Sequence, residues 1–356
     1  MHLSILIPTH RSDLQACSRI VQACSWAGPN LEVIVRDNSG SPEKRSLLRQ
    51  IHNEHCRIVM VDECGAIENH TEIVKLATGD YIYVVADDDF GFDRAMTSLP
   101  GLIARHANDS SVVGITGMYA IEHGNGSSIV GYDNLDAADV AARVSGYLAY
   151  QGVNVMAYSP IRRDLFLRVF DFVGAMPFPF SFHDQISCLL YLLNGKFARL
   201  RRLMYLYDVG EWETAESAQK RDLDFYNASK LDPAINKLHW FICAFEGAAL
   251  IRNSSMFPNY PLAQRQAMAD RWFATMFSRF TSSRRIAFDS VLSRQADQLC
   301  DKWRVSAGRL SFHDMLSDIS AFIALSSKDG SQKFFDYWRE FLSKGGAVGQ
   351  QHRAVG

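Results

Sequence analysis

Three consecutive carboxylates, Asp87, Asp88 and Asp89, close a run that reads Asp80-Tyr81-Ile82-Tyr83-Val84-Val85-Ala86. Adjacent carboxylates repel one another, and water solvates them poorly at the end of a buried strand. Such a cluster calls for a cation, and hard oxygen ligands suit Mg²⁺ or Mn²⁺. A solvated acidic turn is the plainer reading. Two more acids stand apart. Asp37 lies in Arg36-Asp37-Asn38-Ser39-Gly40, a polar turn after an apolar run. Asp184 lies in His183-Asp184-Gln185, ahead of the apolar stretch Ile186–Leu193. Asp37 can simply cap its polar turn, and Asp184 can simply cap the helix that follows it. His52 and His55 are spaced as a zinc pair on a helix would be, but a solvated helix face suits their charged neighbours better.

The elements that position these residues follow from hydrophobic patterning. Leu3–Ile7, Leu31–Val35, Arg57–Val61 and Tyr81–Val85 are short apolar runs rich in β-branched residues, the pattern of strands buried on both faces. Helices are expected between them, after the Ser12-Asp13 cap, over Pro42–His52 and over Glu72–Ala77. Strand–helix alternation of this kind predicts an α/β fold with a mainly parallel sheet flanked by helices. Ligands of open α/β sheets bind beyond the carboxyl ends of the strands. Pro8, Thr9, Asp37 and the three acids all fall there.

After the acids the pattern predicts a helix bent or split at Pro100, a strand over Val112–Gly117 and a hairpin over Tyr119–Tyr132. A strand over Asn154–Tyr158, a helix over Pro160–Phe170 and a last strand over Phe197–Tyr207 follow. Beyond residue 212 strand signals vanish and helical periodicity runs to about 344. The expected organisation is an α/β domain over 1–211, a C-terminal helical region over 212–344 and a disordered tail over 345–356.

Composition narrows the class. The formal net charge of −2 supplies no global field for nucleic acid. Seven cysteines without a CxxC pair read as a reduced, cytosolic set. The N-terminus lacks the basic region of a signal peptide, and no apolar run reaches the ~18 residues that span a bilayer. The expected location is cytoplasmic, with the aromatic C-terminal helices offering peripheral contact at the inner face of a membrane as the lesser reading.

Four pieces in order carry a resemblance: ILIPTHR at 5–11, EVIVRDNSG at 32–40, ENHTEIVKLATGDYIYVVADDD at 68–89 and HDQISCLLYLLNGKF at 183–197. Over residues 1–210 the chain resembles glycosyltransferase family 2, whose members have a GT-A fold and transfer sugars from nucleotide donors with inversion. The resemblance implies that Pro8, Thr9 and Asp37 meet the nucleotide base, usually uracil, and that Asn69 lies near the diphosphate. It implies a nucleotide contact at Asp87, Mn²⁺ or Mg²⁺ at Asp88 and Asp89, and a catalytic base at Asp184. Two positions depart from the family pattern: Glu68 stands where an arginine is usual, and His183 where a glutamate is usual. A UDP-linked sugar donor and a glycan or lipid-linked acceptor are the implied partners, and polysaccharide biosynthesis the implied setting. Asp208 and Glu211 follow the last strand, where related enzymes place a further metal ligand, often histidine. Two other readings compete. A sugar-phosphate nucleotidyltransferase shares the sheet but needs a glycine-rich basic loop that PTHRSD does not supply. A non-catalytic scaffold on a degenerate transferase domain would accommodate the departures at Glu68 and His183.

Overall fold

In a computed structural model, the described residues are 1–123, 126–150, 154–178, 183–209, 214, 216–217, 220, 239–253, 260–283, 294–295, 298–299, 301–303, 311–325 and 327–344. The expected tail, 345–356, and Glu211 lie outside them. The chain divides into two units. One takes Met1–Ala138, Gly152–Arg168 and Gly195–Ala215; the other takes Asp139–Gln151, Val169–Asn194 and Glu216–Gly356.

The first unit is built on one nine-stranded sheet in the order β3-β2-β1-β4-β8-β6-β9-β5, with β7 paired to β6. Its strands are β1 (Leu3–Thr9), β2 (Leu31–Asp37), β3 (Cys56–Met60), β4 (Tyr81–Val84), β5 (Phe90–Gly91), β6 (Val112–His123), β7 (Gly126–Gly131), β8 (Ile161–Arg162) and β9 (Lys196–Asp208). From β3 to β4 all pairs are parallel. Leu3, Ile5, Leu6, Val33, Ile34, Tyr81 and Ile82 are wholly buried there, as continuous apolar runs require. Beyond β4 the sheet is mixed: β8 runs antiparallel to both β4 and β6, and β5 antiparallel to β9.

Local sequence explains most helix ends. Asp13 caps α1 (Leu14–Ser25) by accepting the Ala16 N–H at 2.8 Å. Ser41 caps α2 (Pro42–Leu48), with Pro42 in its first turn. This helix ends well before His52, so His52 and His55 share no helix face. α3 (Ala66–Val74) begins earlier than the apolar pattern predicts and carries Asn69; Glu68 in its first turn suits the helix dipole. The expected helix is split into α4 (Asp93–Met96) and α5 (Leu99–Arg105), with Pro100 in the first turn of α5. The run expected to be a strand at Asn154–Tyr158 instead contains a 3₁₀ turn over Val155–Ala157, and the strand forms at β8. Short apolar runs do not distinguish these states by periodicity. α7 (Arg163–Gly174) follows β8, and the division between units falls within it.

The second unit is helical. α6 (Val140–Ala149), α8 (His183–Asn194), α9 (His239–Asn253), α10 (Leu262–Ser283), α11 (Phe312–Ala324) and α12 (Lys328–Ser343) belong to it. Two stretches expected in the α/β domain, those holding α6 and α8, thus join the C-terminal helices. Their contacts give the reason. Arg271 Nη1 donates to Ser145 Oγ at 2.6 Å, and the Tyr147 ring stacks on Trp272. Trp272 also donates its indole N–H to the Cys243 carbonyl at 3.0 Å, and it packs so tightly on Gly247 that any side chain there would collide with it. Helix α9 is buried over Phe241–Ile251, Glu246 included. None of the described helices is long and apolar enough to cross a membrane.

Candidate active site

The carboxyl ends of β1, β2 and β4 bring together residues far apart in sequence. Thr9 ends β1 directly opposite Asp37 at the end of β2. Three residues beyond the end of β4, at Asp87, the acids begin. Pro8 is tolerated in a central strand because β4 pairs with β1 only as far as Leu6, so no ladder bond is lost beside it.

A buried chain of polar contacts joins these ends. Lys44, on α2, is wholly buried; its Nζ lies 2.9 Å from Asp37 Oδ1 and donates to Thr9 Oγ1 at 2.6 Å. The Thr9 hydroxyl in turn donates to Asp87 Oδ2. Lys44 Nζ also donates to the carbonyl of Arg11. The Arg11 guanidinium bridges the acids, with Nη2 2.6 Å from Asp88 Oδ2 and Nε 3.5 Å from Asp87 Oδ1. Part of the cation that the acid cluster demands is therefore a side chain of the protein.

The three acids differ sharply. Asp87 and Asp89 are buried, whereas the Asp88 side chain is 33% exposed. Both Asp89 oxygens are used internally: Oδ2 accepts from the Tyr205 hydroxyl and Oδ1 from the Asp208 N–H, each at 2.9 Å. Burial, aided by the neighbouring Asp88 charge, pushes the Asp89 carboxyl up to about 7. Asp89 therefore secures the end of β9, each of its oxygens already accepting one hydrogen bond. Asp88 fits a metal ion more readily: it presents a hard, solvent-reachable oxygen. Among the described residues, no three His, Cys, Asp or Glu side chains converge as a ready-made cage. Asp208, a candidate metal position from sequence, places its Oδ2 4.0 Å from Arg19 and gives its backbone N–H to Asp89.

Asp37 has one oxygen in reserve. Oδ1 meets Lys44 and the Ser39 N–H, while Oδ2 is buried, accepts no hydrogen bond among the described residues and has Arg45 Nε 3.9 Å away as an ion-pair partner. A buried carboxylate oxygen without a hydrogen bond is costly unless a donor arrives. On the α3 side, Arg36 Nη1 donates to Asn69 Oδ1 at 2.6 Å. Asn69 Nδ2 donates to Asn38 Oδ1 at 2.8 Å and to the Arg36 carbonyl at 3.2 Å, and Asn38 Nδ2 to the Cys64 carbonyl at 2.6 Å. Arg36 is buried, yet among the described residues no carboxylate pairs with it. Glu68, where the resemblance predicts a cation, is exposed.

Asp184 occupies the first turn of α8, in the second unit, and its Oδ1 accepts the Gln185 N–H at 2.8 Å. It lies inside the helix rather than at its cap. Gln185 is held by the Tyr147 hydroxyl, and Arg143 Nε donates to the Leu192 carbonyl at 3.0 Å, so α6 fixes α8 at both ends.

A sequence model of glycosyl transferase family 2 matches residues 4–128. Over this stretch the chain is similar to glycosyl transferase family 2. The match embraces Pro8, Thr9, Asp37, Asn69 and the three acids and stops short of Asp184. The described residues show a GT-A-like fold with a helical C-terminal region, similar to that of TarS from S. aureus. The full TarS structure matches with a TM-score of 0.55 at 13% identity over 96% of this chain; this chain spans 55% of the length of TarS. TarS 1–349 in complex with UDP-GlcNAc matches with a TM-score of 0.54 at 12% identity, over 97% of this chain and 89% of that one. The same fragment in complex with UDP gives 0.52 at 14% identity, over 97% and 92%. No curated protein sequence matches the chain.

Reasoning from sequence alone missed Lys44, Arg11, Arg36 and Tyr205. A signal existed for Lys44: it stands four residues before the inward Leu48, on the same helix face. Arg11 was in plain view within ILIPTHR, but nothing local shows that it reaches acids seventy-odd residues away.

Proposed function

We propose that the chain is an inverting glycosyltransferase that moves a sugar from a UDP-linked donor to the hydroxyl of a glycan or lipid-linked acceptor. The observation that carries this reading is Asp37 Oδ2, buried at the carboxyl end of β2 and without a hydrogen bond among the described residues. Uracil offers a ring N–H that would satisfy it. Thr9 and Pro8 lie on the adjacent strand end, and Asp87, tied to Thr9, is placed to meet the ribose. The likeness in fold to a protein solved with UDP-GlcNAc supports the choice of donor class.

Departure of a nucleoside diphosphate builds negative charge in the transition state, which fixed cations stabilise. Asp88 would hold Mn²⁺ or Mg²⁺, which supplies Lewis-acid stabilisation of that leaving group. Arg36, steadied by Asn69, offers the charge that Glu68 does not. Asp184 would take the proton of the acceptor hydroxyl as it attacks opposite the leaving diphosphate. Acceptor delivery at the cytoplasmic face of a membrane is consistent with a lipid-linked acceptor.

A thermal-shift panel of nucleotide sugars with Mn²⁺ tests the reading, followed by Asp88→Ala on the best ligand. UDP-sugars should stabilise the wild-type protein most, and Asp88→Ala should lose the Mn²⁺-dependent part without loss of fold. A panel in which no nucleotide sugar shifts the transition would refute the donor assignment.

A further inference from the structure

Asp184 stands in the first turn of α8, which belongs to the same unit as α6, α9 and α10. The first turn of a helix frays unless side chains tie it down, because its N–H groups have no partners within the helix. Asp184 Oδ1 takes one of those groups, the Gln185 N–H. Gln185 ties the turn to the rest of the unit: its side chain is buried, and its Oε1 accepts from the Tyr147 hydroxyl on α6. The Tyr147 ring is buried too and lies nearly parallel to that of Trp272 on α10, with 9° between the planes. Trp272 is wholly enclosed, its indole N–H donating to the Cys243 carbonyl on α9 and Gly247 giving its ring room. A ring packed on such a support has little freedom, so its hydroxyl meets Gln185 from one direction.

We propose that Tyr147 is a positioning residue for sugar transfer: it anchors Gln185 and thereby sets where the Asp184 carboxylate stands. The proposal rests on the reading of Asp184 as the base. A base must come within about 2.6–3.2 Å of the hydroxyl oxygen it deprotonates, and a misplacement of about 1 Å can cost ~10² in rate. The residues read as meeting the donor nucleotide lie on the first unit. Loss of the anchor should therefore lower the rate and spare donor binding. On this account α10, far downstream in sequence, governs turnover through the placement of one carboxylate.

Release of UDP from UDP-GlcNAc and UDP-glucose with Mn²⁺, water serving as acceptor, tests the proposal on Tyr147→Phe, Gln185→Leu, the double variant and Asp184→Asn, with melting curves for each. Tyr147→Phe and Gln185→Leu should each lower the rate at saturating donor about tenfold and leave the half-saturating donor concentration unchanged. The double variant should be no slower than either single one, because both break the same anchor. Its melting temperature should partly recover, since neither member of the hydrogen bond is then left buried alone. A rate that recovers in step with the melting temperature overturns the proposal, because a merely structural role predicts that parallel. A wild-type rate in folded Tyr147→Phe, while Asp184→Asn loses its activity, also overturns it and leaves Asp184 standing as the base. Should either single variant not fold, the other decides by the same rate and half-saturation. A wild type that releases no UDP from either donor, or Asp184→Asn at the wild-type rate, overturns the reading of Asp184 and this proposal with it.

Discussion

Lys44 and Asp37 form a wholly buried ion pair, with Nζ 2.9 Å from Oδ1. Both residues face the carboxyl ends of the strands, where the donor nucleotide is expected. Removing one member of a buried pair strands the other charge out of water, at a cost of about 3–5 kcal/mol. Lys44→Met should destabilise the protein by that order in chemical denaturation, and it should also free Thr9 from one of its two partners. Adding Asp37→Asn to Lys44→Met should recover much of the stability but none of the nucleotide affinity. Stability and binding, measured on the single and double variants, separate the structural pairing from recognition.

Arg36 is the second buried cation, and it has amide and sulfur partners instead of an acid. Arg36→Gln should lower UDP affinity about tenfold or more, the worth of a charged hydrogen bond, and leave uridine affinity nearly unchanged. Parallel titrations with uridine and UDP check the assignment. Equal losses for both ligands would move Arg36 from the diphosphate to the nucleoside.

Asp184→Asn keeps size and hydrogen bonding but cannot take a proton. Donor affinity should be nearly unchanged, and transfer should fall by ~10²–10⁴. A purely helix-terminal role predicts no loss of rate, only the small loss of stability that follows removal of a charge from the first turn. A near-wild-type rate in this one variant excludes Asp184 as the base.

Much of this arrangement is legible in the sequence where it depends on local rules. Strands β1, β2 and β4 show as apolar runs because they are buried on both faces, and their polar ends display Thr9, Asp37 and the acids directly; β3, at the sheet edge, is only partly buried. The two-residue strands β5 and β8 leave no such trace; only pairing with β9, β4 and β6 makes them strands. The same limit hides the fates of the three acids. They are identical in type and adjacent in sequence, yet Tyr205 claims Asp89 and Arg11 claims Asp87 and Asp88 through contacts that span most of the domain. The stretches holding α6 and α8 look like parts of the α/β domain, and their membership of the helical unit follows from Trp272 and Arg271, far downstream.

Glu246 makes stability depend on pH. Burial pushes its carboxyl up to about 8, only partly offset by the Trp338 indole, and Oε1 has no hydrogen bond among the described residues. Cys243 on the same helix and Tyr337 on α12 are its titratable neighbours, and burial raises both of those as well. A carboxyl raised on folding contributes fully below its unfolded value near 4.3 and loses that contribution as pH climbs to about 8. The wild-type melting temperature should therefore fall between pH 5 and pH 8 more than that of Glu246→Gln, and the variant should be the more stable at pH 8. Parallel melting curves that do not diverge would place the carboxyl elsewhere.

The acids sit on a tether with two anchored ends. Val85 N–H bonds back to Leu6 on one side, and β5 pairs with Leu206 and Tyr205 on the other. The Tyr205 hydroxyl reaches across, accepting from the Ala86 N–H while donating to Asp89. Gly91 completes the return, because any side chain there would strike Trp26 and Met96. A segment held in this way has a set contour length. One residue added between Ala86 and Phe90 would throw the carboxylates out of phase with their partners. Variation in this segment should therefore enter by substitution and not by insertion.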